Sequence, residues 1–353
     1  MGGDVVQDVE DPCSRLHLRG CSRFVRVHPR PPHQRCVCAR RPTLNHSSHR
    51  RTDFSPLTCD RSHRYRRLSS RSGTRFTNEE KVLIEVRYSA SPSTVETATT
   101  AELRKNFLVE RLFRTGEVHG VYTHDDRLVV GGAVPGDGQL ELPAWDVLGT
   151  PSHLARRELG IVNVGQSGHV LVNNEKFELR HLDGLFVGRG NEVVFTGPEA
   201  AFYFVSAPAH AAYPTALLSH SAIEPIKLGT AQGASERNLY KYAWGEELQT
   251  SVLQFGVTVI ADGSVWNTFP PHLHDRRTEV YMYVDLDEKD RVFHLMGQPG
   301  AARHLVVRDR EAVISPPWSI HSGVGTGSYA FIWAMGGENN DYTDLTPVPL
   351  EDL

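Results

Sequence analysis

Two histidines one residue apart and a nearby glutamate stand in Pro271-His272-Leu273-His274-Asp275-Arg276-Arg277-Thr278-Glu279-Val280-Tyr281. Imidazole nitrogens and a carboxylate oxygen are preferred ligands of borderline divalent cations, so the chemistry on offer is metal binding. In an extended strand, residues i and i+2 share a face about 6.5 Å apart, which lets His272 and His274 converge on one ion. Glu279 lies five positions beyond His274, and an unbroken strand would turn it to the opposite face. A bulge or tight bend at Asp275-Arg276 is therefore expected to bring it back. A further ligand is expected from His321 in Pro316-Pro317-Trp318-Ser319-Ile320-His321-Ser322-Gly323-Val324-Gly325. There the prolines punctuate a turn, and Gly323 and Gly325 permit close backbone approach. With 18 His in the chain, roughly one HxH pair arises by chance, as solvated residues on a hairpin. The weight falls on the fuller pattern, in which a P-x-W-x-x-H string follows HxH-x4-E.

What must position these ligands is read from composition outward. Residues 1–80 hold 16 Arg, no Lys, eight acidic residues, six His and all five cysteines (Cys13, Cys21, Cys36, Cys38, Cys59), a net charge of +8. Residues 81–353 hold 22 basic and 34 acidic residues, a net charge of −12. Few aliphatic residues and no strand or helix period leave the front unable to bury enough surface to offset its ordering entropy. It has no apolar signal region, and its early Asp4, Asp8, Glu10 and Asp11 do not suit a transit peptide. Cys36-Val37-Cys38 with His28 and His33 lacks a C-x2-C pair, which argues against a zinc site. An arginine-rich arm for nucleic acid is an alternative role. Our expectation is a disordered, functionless extension produced by a start assigned too far upstream, with Lys81-Val82-Leu83-Ile84-Glu85-Val86-Arg87-Tyr88 as the natural beginning.

The remainder is long enough for one large or two small domains. It contains no Cys, which fits a fold independent of disulfides and a cytoplasmic location. It has no apolar run long enough to span a membrane, and its acidic balance disfavours nucleic acid. Thr99 to Val109 predicts a short amphipathic helix, with Thr99 as cap and Leu103, Phe107 and Leu108 on one face. Strands are predicted at Val118–Tyr122, Arg127–Val130, Leu159–Val164, His169–Val172, Glu192–Val205 and Gln254–Ile260, each rich in β-branched residues and bounded by turn formers. Asn173-Asn174 predicts a hairpin turn. His124, His153 and His181 lack ligand spacing and read as structural or substrate-facing.

The HxH-x4-E and P-x-W-x-x-H strings together resemble the two metal motifs of the cupin superfamily. Asp183 to Val193 resembles a second cupin motif in the first half, with Val193 where a metal-binding barrel has His. The fold expected is therefore all-β, a bicupin of two double-stranded β-helix (jelly-roll) barrels with a few short helices. Its expected divisions are 1–80 for the extension, 81–215 for a metal-free barrel, 216–235 for a linker packed across the halves, and 236–353 for a metal-binding barrel.

More specifically, five strings are similar to the 5-dehydro-4-deoxy-D-glucuronate (5-keto-4-deoxyuronate) isomerase family. They are Arg156-Arg157-Glu158-Leu159-Gly160, Ser206-Ala207-Pro208-Ala209-His210, the His272 to Tyr281 stretch, Met296-Gly297-Gln298-Pro299 and Trp318 to Gly325. The likeness runs from about residue 84 to the C-terminus and excludes the front. It implies one zinc held by His272, His274, Glu279 and His321, a homohexamer, and a role in bacterial breakdown of pectin and related uronates. The implied reaction converts 5-dehydro-4-deoxy-D-glucuronate to 3-deoxy-D-glycero-2,5-hexodiulosonate.

Such an aldose–ketose isomerisation needs a proton carrier, for which Glu158, Lys241, Tyr281, His294 and His304 are candidates. Tyr281 and Tyr283 also suit barrel lining. The substrate carboxylate calls for a guanidinium, and Arg276, Arg277, Arg156, Arg157 and Arg303 are candidates. The ligand set alone also fits Fe(II), Mn(II) or Ni(II). An Fe(II) cupin oxygenase and a non-catalytic sugar-binding cupin are thus the alternatives to a zinc isomerase acting on a small deoxy-ketouronate.

Overall fold

Runs such as Val280–Val284 and Phe202–Val205 are apolar or aromatic at nearly every position, so both faces of those strands must find cover. The computed structural model, which describes residues 84–245, 247–338 and 344–353, shows how. Two seven-stranded sheets carry these runs. The first is ordered Glu85–Arg87, Glu117–Thr123, Val129–Val134, Phe202–Pro208, Arg157–Asn163, Gly184–Val187, Ala216–Leu218. The second is ordered Ile226–Leu228, Arg237–Ala243, Gln254–Ile260, Ala330–Gly337, Arg277–Val284, Ala312–Ser315, Leu108–Val109. One face of each packs on the other in a shared core that joins Val130, Val162, Tyr203 and Val205 to Val280, Met282, Ile332 and Ala334.

The opposite face of each large sheet lines a barrel closed by a smaller sheet. In the first half the closing sheet is Gly136–Glu141, Val193–Gly197, Gly168–Val172, Glu175–Leu179. Phe195, Phe202 and Phe204 fill that barrel, with Val193 buried among them. In the second half it is Arg303–Val307, Val292–Met296, His321–Gly325, Trp266–Leu273, Thr346–Pro347. Tyr281, Tyr283, Phe331 and Trp333 occupy its interior. The chain is thus all-β with the two jelly rolls of a bicupin. The expected N-terminal extension lies outside the described residues.

Local signals place most elements. Asn173 and Asn174 have φ of 49° and 70°, the two positive values a two-residue hairpin requires. Thr99 caps the helix Thr100–Phe107 in a reciprocal box with Glu102. The predicted strand Glu192–Val205 is in fact two strands in different sheets, broken where Gly197 adopts φ 134° ahead of Pro198. The divisions are also less simple than their sequence borders suggest. Segment 216–235 supplies a strand to each large sheet. Leu108–Val109 pairs with Val313 and Ala312 of the second half, and the helices before it bury Val95, Leu103 and Phe107 in the second barrel's core.

Two residues expected near chemistry instead hold these parts together. Glu158 is fully buried and accepts from the backbone N–H groups of Ser251, Val252 and Leu253, each at 2.8 Å, which ties the halves together. Burial pushes its pKa up against those three donors. Arg303 donates to the carbonyls of Val95, Glu96 and Ala98, at the end of the helix Pro92–Thr97. We predict that Glu158→Ala leaves three N–H groups without an acceptor and lowers folding stability by on the order of 3 kcal/mol. Denaturant melts check this, and metal content should stay at the wild-type level.

Candidate metal centre

Phe269-Pro270-Pro271 cannot sustain a sheet ladder, because neither proline carries an N–H. The strand Trp266–Leu273 accordingly slips against His321–Gly325: Asn267 faces Gly323, whereas His272 faces His321. The residues between them bulge away from the ladder, pinned by Ser322 Oγ, which donates to the Thr268 carbonyl at 2.6 Å. This register sets His272 and His321 directly opposite, with ring centroids 4.6 Å apart. His274 follows the strand end, its ring 4.7 Å from that of His321 and 6.0 Å from that of His272.

Glu279 reaches the group by a route other than the expected bulge at Asp275-Arg276. The chain leaves the small sheet after Leu273 and enters the facing large sheet at Arg277. Glu279 therefore meets the histidines from across the barrel, and its Oε2 lies 3.0 Å from His274 Nε2 and 3.2 Å from His321 Nε2. Spacing parity does not apply, because no single strand carries both partners.

All three imidazoles are tethered through Nδ1 to a backbone carbonyl. His272 meets Pro270 O at 3.3 Å, His274 meets Arg277 O at 3.2 Å and His321 meets Ser319 O at 3.3 Å. A carbonyl only accepts, so each Nδ1 donates to it, which leaves Nε2 as the ring atom turned inward. His274 Nε2 is in hydrogen-bond contact with Glu279 Oε2, whereas the buried His321 Nε2 has no hydrogen-bond partner. Burial holds His321 well below the ordinary histidine range and lowers His272 as well, so these two rings favour the neutral form. A metal cation among the four groups would meet their donor atoms, and the donor set of three imidazoles and one carboxylate fits a divalent ion. Among the described residues, these histidines form the one cluster of three or more His, Cys, Asp or Glu compact enough to hold a metal.

The centre opens on a cavity of about 220 Å3, to which His272 and Glu279 contribute. That volume suits a small ligand, being below the ~300–1,000 Å3 usual for drug-sized ones. Phe331, Trp333, Phe269 and Leu239 give it apolar walls, and Thr268, Tyr281 and Arg237 face it with polar groups. Gly256 makes room for this lining, since a Cβ there would run into the Tyr240 carbonyl and the Trp333 ring.

Of the proton-carrier candidates, Tyr281 alone lines this cavity, with its hydroxyl 3.1 Å from Thr268 Oγ1. The structure places the others elsewhere. His294 is fully buried, bonded through Nδ1 to Tyr283 Oη at 2.7 Å, and burial pushes its pKa down to about 3. Lys241 lies over the Trp244 ring at 4.3 Å, and His304 is exposed beside Phe293. None of the five candidate arginines lines the cavity. Besides Arg303 on its helix end, Arg156 is exposed and Arg157 is buried on Ser206 and Arg127. Arg276 and Arg277 pair with Asp344 at 3.7 and 2.7 Å. Sequence reading missed Arg237, whose distance along the chain from the ligands hides it. The strand alternation Arg237, Leu239 was the available signal for an inward-facing residue.

A model described as the KduI/IolB family matches residues 107–347. The chain belongs to the KduI/IolB family. A 4-deoxy-L-threo-5-hexosulose-uronate ketol-isomerase of Halalkalibacterium halodurans is 49% identical over 275 residues, covering 76% of this chain and 100% of that relative. The protein of the same description from Bacillus subtilis is 46% identical over 274 residues, again covering 76% and 100%. Among solved structures, an IolB-like protein from Salmonella typhimurium LT2 superposes with a TM-score of 0.55 at 15% identity, covering 69% of this chain and 96% of that one, a likeness of fold.

Substituting His274 or His321 with Ala should lower metal stoichiometry from one per chain toward zero, read by elemental analysis. The metal-free protein should also be acid-sensitive. His272, His294 and His321 have folded pKa values below the unfolded value of about 6.5, so protons bind the unfolded chain preferentially. Their contribution to stability is complete above about pH 6.5 and falls as pH drops below it. Denaturant midpoints across that range test the sign.

Proposed function

We propose that this chain is a zinc-dependent ketol-isomerase that converts 5-dehydro-4-deoxy-D-glucuronate to 3-deoxy-D-glycero-2,5-hexodiulosonate, within pectin and uronate breakdown. The observation that carries the reading is the three-histidine, one-carboxylate centre opening on a small, largely apolar cavity. Full-length similarity to relatives named for this ketol-isomerisation supports it. We further propose a cytoplasmic homohexamer, which the resemblance of the motif strings implies. Among the described residues, no helix is long and apolar enough to cross a membrane.

A divalent ion held by His272, His274, Glu279 and His321 supplies Lewis acidity for a carbonyl oxygen and the hydroxyl beside it. The chain's own residues do the remaining work. The apolar walls of Phe331 and Trp333 keep water from the reacting carbons, which strengthens each polar contact inside. Tyr281 is the group in place to hand a proton to, or take one from, a substrate oxygen, and Thr268 Oγ1 at 3.1 Å orients its hydroxyl. Tyr281 stacks on Phe331 at 5.0 Å between centroids, which fixes the ring.

Purified protein assayed without oxygen should contain one zinc per chain and form the ketose product. Tyr281→Phe should lower kcat by about 10²-fold or more with zinc content unchanged. Full turnover by metal-free protein, or consumption of dioxygen, would overturn this reading.

A further inference from the structure

The strand that carries Glu279 is weakly held at its start. Arg277–Val284 begins straight after the chain has crossed from the small sheet, and its first two residues pair with Gly337 and Gly336, which have no side chains to pack. Such strand ends fray, and glycine adds conformational freedom to the partner. Glu279, the third residue, must nonetheless hold its carboxylate among the histidines. Support comes from the first half. The loop between Glu117–Thr123 and Val129–Val134 brings Asp126 to Thr278, where Asp126 Oδ2 accepts from the backbone N–H at 2.8 Å and from Oγ1 at 2.6 Å. Thr278 is fully buried on the face that Val280 and Met282 turn to the shared core, opposite to that of Glu279. Two residues beyond Asp126, the buried Leu128 sits over Gly336, where a Cβ would run into its side chain. Gly336 is the register partner of Thr278, so both contacts grip one rung of the ladder, the rung beside that of Glu279 and Met335.

We infer that Asp126 is a positioning residue for the metal centre: through Thr278 it fixes the backbone from which Glu279 reaches the ion, so that the first barrel sets the metal affinity of the second. The inference rests on the metal-binding part of the proposed isomerase reading. The loop is itself held stiff. Asp126 and Arg127 take φ of 45° and 55°, and the Arg127 carbonyl accepts from Nη2 of the buried Arg157 at 2.6 Å, whose Nε donates to Ser206 Oγ at 2.9 Å. Non-glycine residues keep such angles where their surroundings over-determine them. A carboxylate that accepts both the main-chain and the side-chain donor of one residue restrains its position and its rotation together. Partners one step removed from a metal's ligands are worth about 10–100-fold in affinity, and one acting through the adjacent residue belongs at the lower end. Glu158 provides the contrast, since it also bridges the halves, but its partners Ser251, Val252 and Leu253 lie outside the strands that carry ligands.

The test measures the zinc dissociation constant, and the rate of zinc loss to a chelator, for the full-length wild type, Asp126→Gly, Asp126→Asn and Thr278→Val, with Glu158→Ala as control. Asp126→Gly keeps the backbone angles of the loop and removes the acceptor, and it should weaken zinc binding by about 10-fold. Asp126→Asn keeps an acceptor oxygen on a residue that tolerates positive φ, and it should restore affinity to within about 2-fold of wild type. Thr278→Val loses the Oγ1 bond alone and should weaken zinc by about 5-fold. Glu158→Ala should lower folding stability and leave zinc affinity at the wild-type value. A folded Asp126→Gly protein that is less stable yet binds zinc as wild type does would make Asp126 a structural clamp only and overturn the inference. So would Thr278→Val with wild-type affinity, which decides the matter even if Asp126→Gly does not fold. Equal weakening by Glu158→Ala would overturn it too, because any loosening of the halves would then suffice. A wild type that takes up no zinc would overturn the metal centre together with the inference. The expected order of affinities in a protein that binds zinc tightly but isomerises nothing would support the inference and overturn the isomerase reading alone.

Discussion

Three imidazoles and a carboxylate gather at one point of the second barrel, an arrangement whose donor atoms a divalent cation would satisfy. The tethers that create this situation are backbone carbonyls at Pro270, Arg277 and Ser319. Because they are main-chain groups, the protonated nitrogen of each ring is dictated by the fold and not by a mutable side chain. Burial then disfavours protonating His321 and His272. A site able to hold a metal is thus built from strand register and ring orientation acting together.

Everything else in the second half serves that arrangement. The proline bulge at 268–271 moves Thr268 and Phe269 out of the ladder and onto the cavity wall while keeping His272 opposite His321. The facing sheet delivers Glu279 and Tyr281 from one strand face, two residues apart. That sheet is held from behind by the first half, whose barrel interior is filled by phenylalanine rings and Val193. The first barrel therefore acts as a rigid backing, with Glu158 reaching across to fix the 251–253 backbone.

Much of the centre was legible in the chain. His272, His274, Glu279 and His321 converge as their motif strings imply, and the Asn173-Asn174 turn and the Thr99 cap form as local chemistry dictates. What escaped was long-range. The route of Glu279 depends on the chain changing sheets between His274 and Arg277, which period-2 patterning within one strand cannot express. The docking of Leu108–Val109 on Ala312 and Val313 spans some two hundred residues and leaves no local signature. Proximity in sequence also misled: Arg276 and Arg277 adjoin the ligands yet turn away, whereas Arg237 reaches the cavity from a distant strand. Glu158 and His294 show why a buried titratable group is not by itself a proton carrier, since one clamps backbone and the other packs on Tyr283.

The central claim concerns which atoms surround the metal, and X-ray absorption of the purified, metal-loaded protein addresses it directly. The account predicts a zinc edge with nitrogen and oxygen scatterers at about 2.0–2.1 Å, the multiple-scattering pattern of three imidazoles, and loss of one oxygen scatterer in Glu279→Ala. A shell without imidazole scattering, or one unchanged by that substitution, would contradict it.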